Sequence, residues 1–471
     1  MLTSRLRVLP AIANSNRLSS IHTESMKSFR IPLILLTLFA FVCAVRPASF
    51  EPGRAAKRQV RWYKKTIQFA LSTSLTAENT SIRPQSDVAG AVHRALATWS
   101  AVTNIQFVEV SSDVQSISKG GRGDGINLIT IAATPQNMAI FHGDNSPART
   151  RVFYDSETGE ITEADIAINP YAYSLDGAPL DFSTDGTAGT YDLQSTLTHE
   201  IGHVLGLNHS AVFGSTMNAS QALNGVFGLP AFGMRTLSES DRAAAVGIYG
   251  SGNDTGSVEG RILNTRQGSL EAASSASVWI EDSVSGRVMA SDTTDANGDF
   301  KIAGLTPGTY RLLVQSSDPK SESGNSARAA DSFRAIEIAN QLRITANRVT
   351  PVSYVLVPPQ NTPAAVRARF IGNNNELSTV SLPALRGTKV TVYVSGDAVD
   401  QIVVNGVLIS SPYLTVNPAS VAVHQYNNSR SLSFDVTVAT DAPDGDYSIK
   451  LQANTGETTF LIGALTVAVP Q

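Results

Sequence analysis

Three of the chain's seven histidines fall within residues 199–209, in the string HEIGHVLGLNH. His199 and His203 are four residues apart, so on a helix they project from one face about one turn apart. At about 100° per residue, Leu193, Leu197, Ile201 and Val204 fall within about 80° of one another. His199 and His203 lie roughly opposite them, near 240° and 280°. The imidazoles are therefore expected to face a cleft, and the aliphatic stripe the core. Glu200 falls beside the histidine face. Gly206 can take positive φ, end the helix and let His209 approach from another direction. Three imidazoles delivered in this way can hold Zn2+ tetrahedrally and leave a fourth position for water. Such an ion lowers the pKa of its water and polarises a carbonyl. Glu200 would then take the proton as general base and return it to a leaving amine. The competing view is a helix whose histidines are solvated surface residues. It fits poorly with so scarce a residue in so fixed a pattern.

The elements that must carry these groups are legible by period. Asp192–Leu205 reads as the helix bearing the cluster. Ser86–Val102 reads as a second helix, with Val88, Val92, Leu96, Trp99 and Val102 at helical spacing. Ser238–Tyr249 reads as a third, opened by Ser238 and Asp241 in the manner of a capping box. Trp62–Leu75, Ile105–Val110, Ile126–Ala132 and Ile161–Asn169 read as strands.

HExxHxxGxxH is the zinc signature of the metzincin peptidases, and residues 61–250 resemble their matrixin branch. Met217, in GSTMNAS, lies eight residues after His209, where matrixins place a methionine turn. The resemblance implies that Met217 forms a hydrophobic floor beneath the metal and does not ligate it. Ser210 after the third histidine, LSESDRAAAVGIYG (237–250), DGINLI (124–129) and GEITEADIAIN (159–169) are similar to matrixin segments as well. The resemblance implies an α+β domain with a twisted mixed sheet and three helices. It also implies zinc-dependent hydrolysis of peptide bonds, with His199, His203 and His209 as ligands and Glu200 as the catalytic base. Ca2+ follows as an option from the family, with no ligands identified. Two departures stand out. Asn218-Ala219-Ser220 follow Met217 where the family often has x-Pro-x-Tyr. Residues 218–236, which by the resemblance line the specificity pocket, are rich in small and apolar types, so substrate preference does not carry over. The single cysteine, Cys43, lies in the N-terminal apolar region, so latency through a cysteine bound to the metal is not expected.

Other candidates have plainer readings. Arg122-Gly123-Asp124 spells an integrin-binding tripeptide but sits in a glycine-rich loop before a strand. Residues 295–299 (DANGD) resemble part of a calcium loop, yet Thr306 stands where an EF-hand needs glutamate, which leaves a β-turn. His142 and Asp144 read as loop residues. His93 and His424 read as packing or surface residues, and Tyr249 as a core residue.

Composition bounds the rest. A chain of 471 residues has room for two to four domains at roughly 100–200 residues each. One cysteine excludes a disulfide scaffold, and a net charge of −4 argues against a nucleic-acid-coating protein. Residues 31–45 (IPLILLTLFAFVCAV) follow Lys27 and Arg30 and are too short to span a bilayer but suit a secretory signal, so export is expected. Residues 1–44 are taken as the signal region, with 26–44 as a compact signal peptide and a second cleavage option at Pro47-Ala48. A mitochondrial presequence and a lipoprotein acylated at Cys43 fit less well. Residues 1–44 hold five basic residues and one acidic, so the exported chain would carry −8. Residues 45–60 form a short linker. Beyond 61–250, and after the linker 251–256, short strands with frequent turns predict two all-β sandwiches, 257–357 and 364–471, split by Pro358–Pro363. The first resembles carboxypeptidase-regulatory-like domains through GLTPGTY (304–310), and the second resembles immunoglobulin-like sandwiches. Both could engage an extracellular polymer or surface. The sequence therefore predicts a multidomain, secreted zinc endopeptidase acting on protein or peptide substrates, with no nucleic-acid partner and no membrane span in the mature chain. The alternative is an adhesion or matrix-binding protein whose peptidase domain is ancillary or inactive.

Overall fold

The computed structural model describes residues 58–77, 81–174, 177–250, 254–266, 269–316, 335–357, 366–374, 376–426 and 429–468. The expected signal region, residues 45–57 of the linker and the Pro358–Pro363 break lie outside them. Among the described residues no helix is long and apolar enough to cross a membrane.

The chain enters through β1 (Thr66–Ser72), α1 (Val88–Thr103), β2 (Gln106–Ser112), β3 (Asn127–Thr130), α2 (Pro135–Ala139), β4 (Ala148–Tyr154) and β5 (Ile161–Ile168). These strands form one mixed sheet in the order β2-β1-β3-β5-β4. All neighbours are parallel except β4, which runs antiparallel to β5 at the edge. β4 is absent from the sequence reading: ARTRVFY is buried on both faces, so it lacks the polar alternation of a half-exposed strand. Two-residue strands β6 (Phe182–Ser183) and β7 (Tyr191–Asp192) then lead into α3 (Leu193–Val204), and α4 (Glu239–Tyr249) follows. Among the described residues the α-helices number four, because the one-turn α2 joins the three that periodicity marks.

Each long helix is started by its own side chain. Asp87, Asp192 and Ser238 accept from the backbone N–H of Gly90, Ser195 and Asp241, and Ser238–Asp241 complete a reciprocal capping box. The α1 and α3 faces pack on one side of the sheet in a core that includes Trp62, Phe69, Trp99, Ile166, Leu197 and Ile201. A smaller cluster with Phe141 and Leu128 covers the other side.

After Tyr249 the described elements are strands, apart from one 3-10 turn at Val399–Gln401. β8 (Gly256–Arg266), β9 (Ser269–Ala272), β10 (Ser277–Asp282), β11 (Val288–Thr293), β12 (Asp299–Leu305), β13 (Gly308–Gln315), β14 (Ile336–Ile344) and β15 (Val349–Val357) form two sheets around a core containing Ile262, Val278 and Leu312. β16 (Arg367–Gly372), β17 (Leu377–Ser378), β18 (Leu382–Pro383), β19 (Lys389–Asp397), β20 (Ile402–Ile409), β21 (Leu414–Tyr426), β22 (Ser429–Val438), β23 (Gly445–Ala453) and β24 (Thr458–Val467) form two more, around Phe434, Tyr447 and Leu465. Tyr310 and Tyr447 each donate a hydroxyl hydrogen bond to a carbonyl four residues upstream, at 2.6 and 2.7 Å, pinning a corner in each region.

Candidate metal centre

α3 ends in a way that delivers the third histidine. Gly206 adopts φ +85°; its N–H bonds to His203 O at 2.9 Å, and the Leu207 N–H bonds to Gly202 O at 3.1 Å. This is a Schellman turn, which only a residue tolerant of positive φ forms without strain. The last carbonyls of the helix are taken up by aromatic donors: Trp62 Nε1 donates to Val204 O at 2.9 Å and Tyr249 Oη to Leu205 O at 2.7 Å. Tyr249 therefore serves the helix end.

The turn brings three imidazoles together. His203 Nε2 lies 3.2 Å from His199 Nε2 and 3.2 Å from His209 Nε2. His199 Nδ1 donates to Thr216 O at 2.7 Å and His203 Nδ1 to Leu207 O at 2.9 Å. Those carbonyl acceptors place the protons on Nδ1, so the Nε2 lone pairs of both rings face inward. Lone pairs facing at such distance repel unless a cation lies among them. Tetrahedral ligands at about 2.05 Å from zinc stand about 3.3 Å apart, which matches both spacings from His203, and all three donors lie within 4.8 Å of one another, so they can share that ion. Burial pushes all three imidazoles below their ordinary pKa, His203 to about 3, and the neighbouring rings push His203 and His209 further the same way. The rings are thus neutral at pH 7, the form a metal requires. Among the described residues this is the one group of three or more His, Cys, Asp or Glu side chains close enough to share an ion.

Glu200 is fully buried beside the triad. Its Oε2 accepts from Thr150 Oγ1 at 2.6 Å, while Oε1 is buried with no hydrogen-bond partner. Burial raises its pKa to about 7, against the opposing Thr150 hydrogen bond and the Arg149 charge. Met217, 1% exposed, belongs to the core between α1, α3 and the sheet. Its sulfur occupies the space above Gly202: a Cβ there would lie 2.2 Å from Met217 Sδ and 2.9 Å from Trp99 Cζ2. Glycine between the two helical histidines is what admits the methionine. Asp241 fixes this turn. Its carboxylate accepts from the N–H groups of Thr216, Met217 and Ser238 at 2.8, 3.1 and 2.9 Å, and from the Ser215 and Ser238 hydroxyls.

Helical spacing alone sets the histidines toward a cleft. In the fold α3 is buried on every face, and His199 and His203 are inaccessible, because β4 and the returning segment 210–236 close over that side. The other candidates lie elsewhere. Asp144 pairs with Arg149. His93 pairs with Glu109 at 3.0 Å, and His424 bonds Ser433 at 2.7 Å. Asp295 accepts from Asn297 and Asp299 N–H in a closed turn. Asp124, of the Arg-Gly-Asp tripeptide, caps Ile126 N–H at 2.9 Å. Thr150, and Asp241 in its hold on residues 215–217, have no sequence signal for these roles, since each acts there on a segment distant along the chain.

A mixed sheet with one antiparallel edge strand, laid against a helix and turn that converge three imidazoles beside a buried glutamate, is the arrangement of a metzincin-type domain. Residues 61–250 match the matrixin family and residues 257–357 the carboxypeptidase regulatory-like domain, so the chain carries a matrixin domain followed by a β-rich regulatory-like domain. Curated relatives include Metalloendoproteinase 4-MMP of Arabidopsis thaliana, 28% identical over 172 residues (36% of this chain, 42% of the relative). Metalloendoproteinase 1-MMP of the same plant is 29% identical over 171 residues (34% and 38%). Matrix metalloproteinase-18 of Xenopus laevis is 29% identical over 160 residues (33% and 27%). The chain spans less than half the length of these relatives.

Proposed function

We propose that this chain is a secreted zinc-dependent endopeptidase that hydrolyses peptide bonds of protein substrates, with His199, His203 and His209 holding the metal and Glu200 as general base. One observation carries the reading: His203 Nε2 lies 3.2 Å from the Nε2 of both His199 and His209, with all three donors within 4.8 Å of one another, beside a buried carboxylate with one uncommitted oxygen. Zinc held there would polarise a scissile carbonyl and acidify water. Glu200 accepts the proton at Oε1, because Thr150 occupies Oε2. With its pKa near 7, the carboxylate is basic enough to take a proton at neutral pH and acidic enough to give it to a leaving amine. Among the described residues β4 pairs only with β5, so its outer edge can take an extended peptide as an added strand alongside Glu200. Export is supported by the apolar run at 31–45 after Lys27 and Arg30.

The test is cleavage of casein by the zinc-loaded full chain and by Glu200→Ala. The wild type should be active and chelator-sensitive. The variant should keep its zinc and lose nearly all proteolysis. Equal rates in the two proteins would overturn the proposal.

A further inference from the structure

We infer that the C-terminal β-rich region, residues 366–468, positions the substrate-binding wall beside α3 by holding loop 218–236 at Phe227. The inference rests on the peptidase reading above.

The loop has two anchorages. On one side it is tied to the start of α3, one turn before His199. Ser195 Oγ donates to Ala231 O at 2.8 Å, Thr196 Oγ1 to Gln221 Oε1 at 3.0 Å, and the Arg235 guanidinium grips Asp192 at 2.6 and 2.9 Å. On the other side its tip leaves the catalytic domain. Phe227 takes φ +58°, a left-handed conformation that costs a bulky side chain of order 1–3 kcal/mol and persists only when its surroundings impose it. The surroundings belong to the C-terminal region: the ring packs against that region's core, and the backbone N–H donates to Glu376 Oε2 at 2.7 Å.

The preceding segment, between His209 and Met217, is held by the same region. Phe213 N–H donates to Ile462 O at 2.9 Å, and Ser381 N–H donates to Phe213 O at 3.2 Å. Val212 is fully buried in a cluster with Trp279, Val288, Leu313, Phe460 and Ile462, drawn from both β-rich regions. A Cβ on Gly214 would fall 2.0 Å from Asp446 Oδ1, so a larger residue there would have to displace the buried Asp446 carboxylate. Both stretches of chain that follow the third histidine are thus clamped from outside the matrixin domain, and the β-rich regions are built into the wall of the site.

Full-length Glu376→Ala, Glu376→Gln and Phe227→Ala test this. Zinc content, kcat and KM on a peptide library, and hydrogen exchange over residues 221–231 are read for each. Glu376→Ala and Phe227→Ala should raise KM at least about fivefold and shift the preferred cleavage site, with kcat within about twofold and zinc unchanged. Glu376→Gln, which keeps an acceptor for the Phe227 N–H, should restore the wild-type profile. An unchanged KM and cleavage profile in both disrupting variants overturns the inference, as does a loss of zinc that accounts for the whole effect. A wild-type chain without peptide hydrolysis refutes the peptidase reading instead. In that case faster exchange at 221–231 in the two disrupting variants still supports the anchoring, and unchanged exchange overturns it.

Discussion

Replacing Asp241 with alanine should do more damage than any other single truncation near the turn. The carboxylate is 1% exposed and serves three backbone N–H groups: Thr216 at 2.8 Å, Met217 at 3.1 Å and Ser238 at 2.9 Å. A buried donor left without a partner costs about 1–3 kcal/mol. Three of them, partly relieved by local rearrangement, amount to about 3–6 kcal/mol, against a total stability of about 5–15 kcal/mol for an ordinary domain. Asp241→Asn keeps one acceptor oxygen but turns an amide donor toward N–H groups, so its cost should be intermediate. The damage also reaches the metal. Thr216 O orients His199, and the loss of such an outer partner typically weakens metal affinity about 10–100-fold. Urea denaturation followed by tryptophan fluorescence reads the stability, because Trp62 and Trp99 are both buried in the core of the matrixin domain. Competition against a chromogenic chelator reads the zinc affinity. An Asp241→Ala protein that loses less than about 1 kcal/mol and binds zinc like the wild type would refute the reasoning.

Three further outcomes are expected. Gly202→Ala places a Cβ 2.2 Å from Met217 Sδ, so thermal melting should show a loss of about 1–3 kcal/mol, and an unchanged melting temperature would contradict the packing. Thr150→Val removes the hydrogen bond that holds the Glu200 pKa down. The acid limb of the kcat/KM profile should therefore move to higher pH, and a limb that stays in place would show that Thr150 does not tune the base. Asp446, buried against the 211–216 segment, has its pKa raised by burial from 3.8 to about 7. The unfolded chain then loses this proton from about pH 4 while the folded chain holds it to about 7, so stability falls across that window. Asp446→Asn escapes the loss and should gain on the wild type by up to about 4 kcal/mol between pH 4 and 8 by denaturant titration, whereas a pH-independent difference would rule the effect out.

The parts of the site that lie close together in sequence were readable from it. The i, i+4 histidines, Gly206 at the helix end and the Ser238–Asp241 cap all act within a few residues, where period and capping chemistry suffice. Strand positions were approximate for the same reason: Trp62–Leu75 contains a seven-residue strand and then a short 3-10 turn at Thr73–Leu75. What escaped depends on pairing across distance. Thr150 reaches Glu200 because β4 is placed at the sheet edge by β5, and no local pattern in ARTRVFY announces it. The wheel separated imidazoles from aliphatics on α3 correctly, yet it could not show that segment 210–236 would enclose the imidazole face. Phe227 and Glu376 are 149 residues apart, and their contact exists only because the C-terminal region packs on the loop.

The measurement closest to the central claim is metal analysis with X-ray absorption on the purified full chain, compared with His203→Ala. One zinc per wild-type chain is expected, with three nitrogen ligands and one oxygen at about 2.0–2.1 Å, and loss of that zinc in the variant. A wild-type chain that takes up no zinc, or a His203→Ala chain that holds it unchanged, would contradict it.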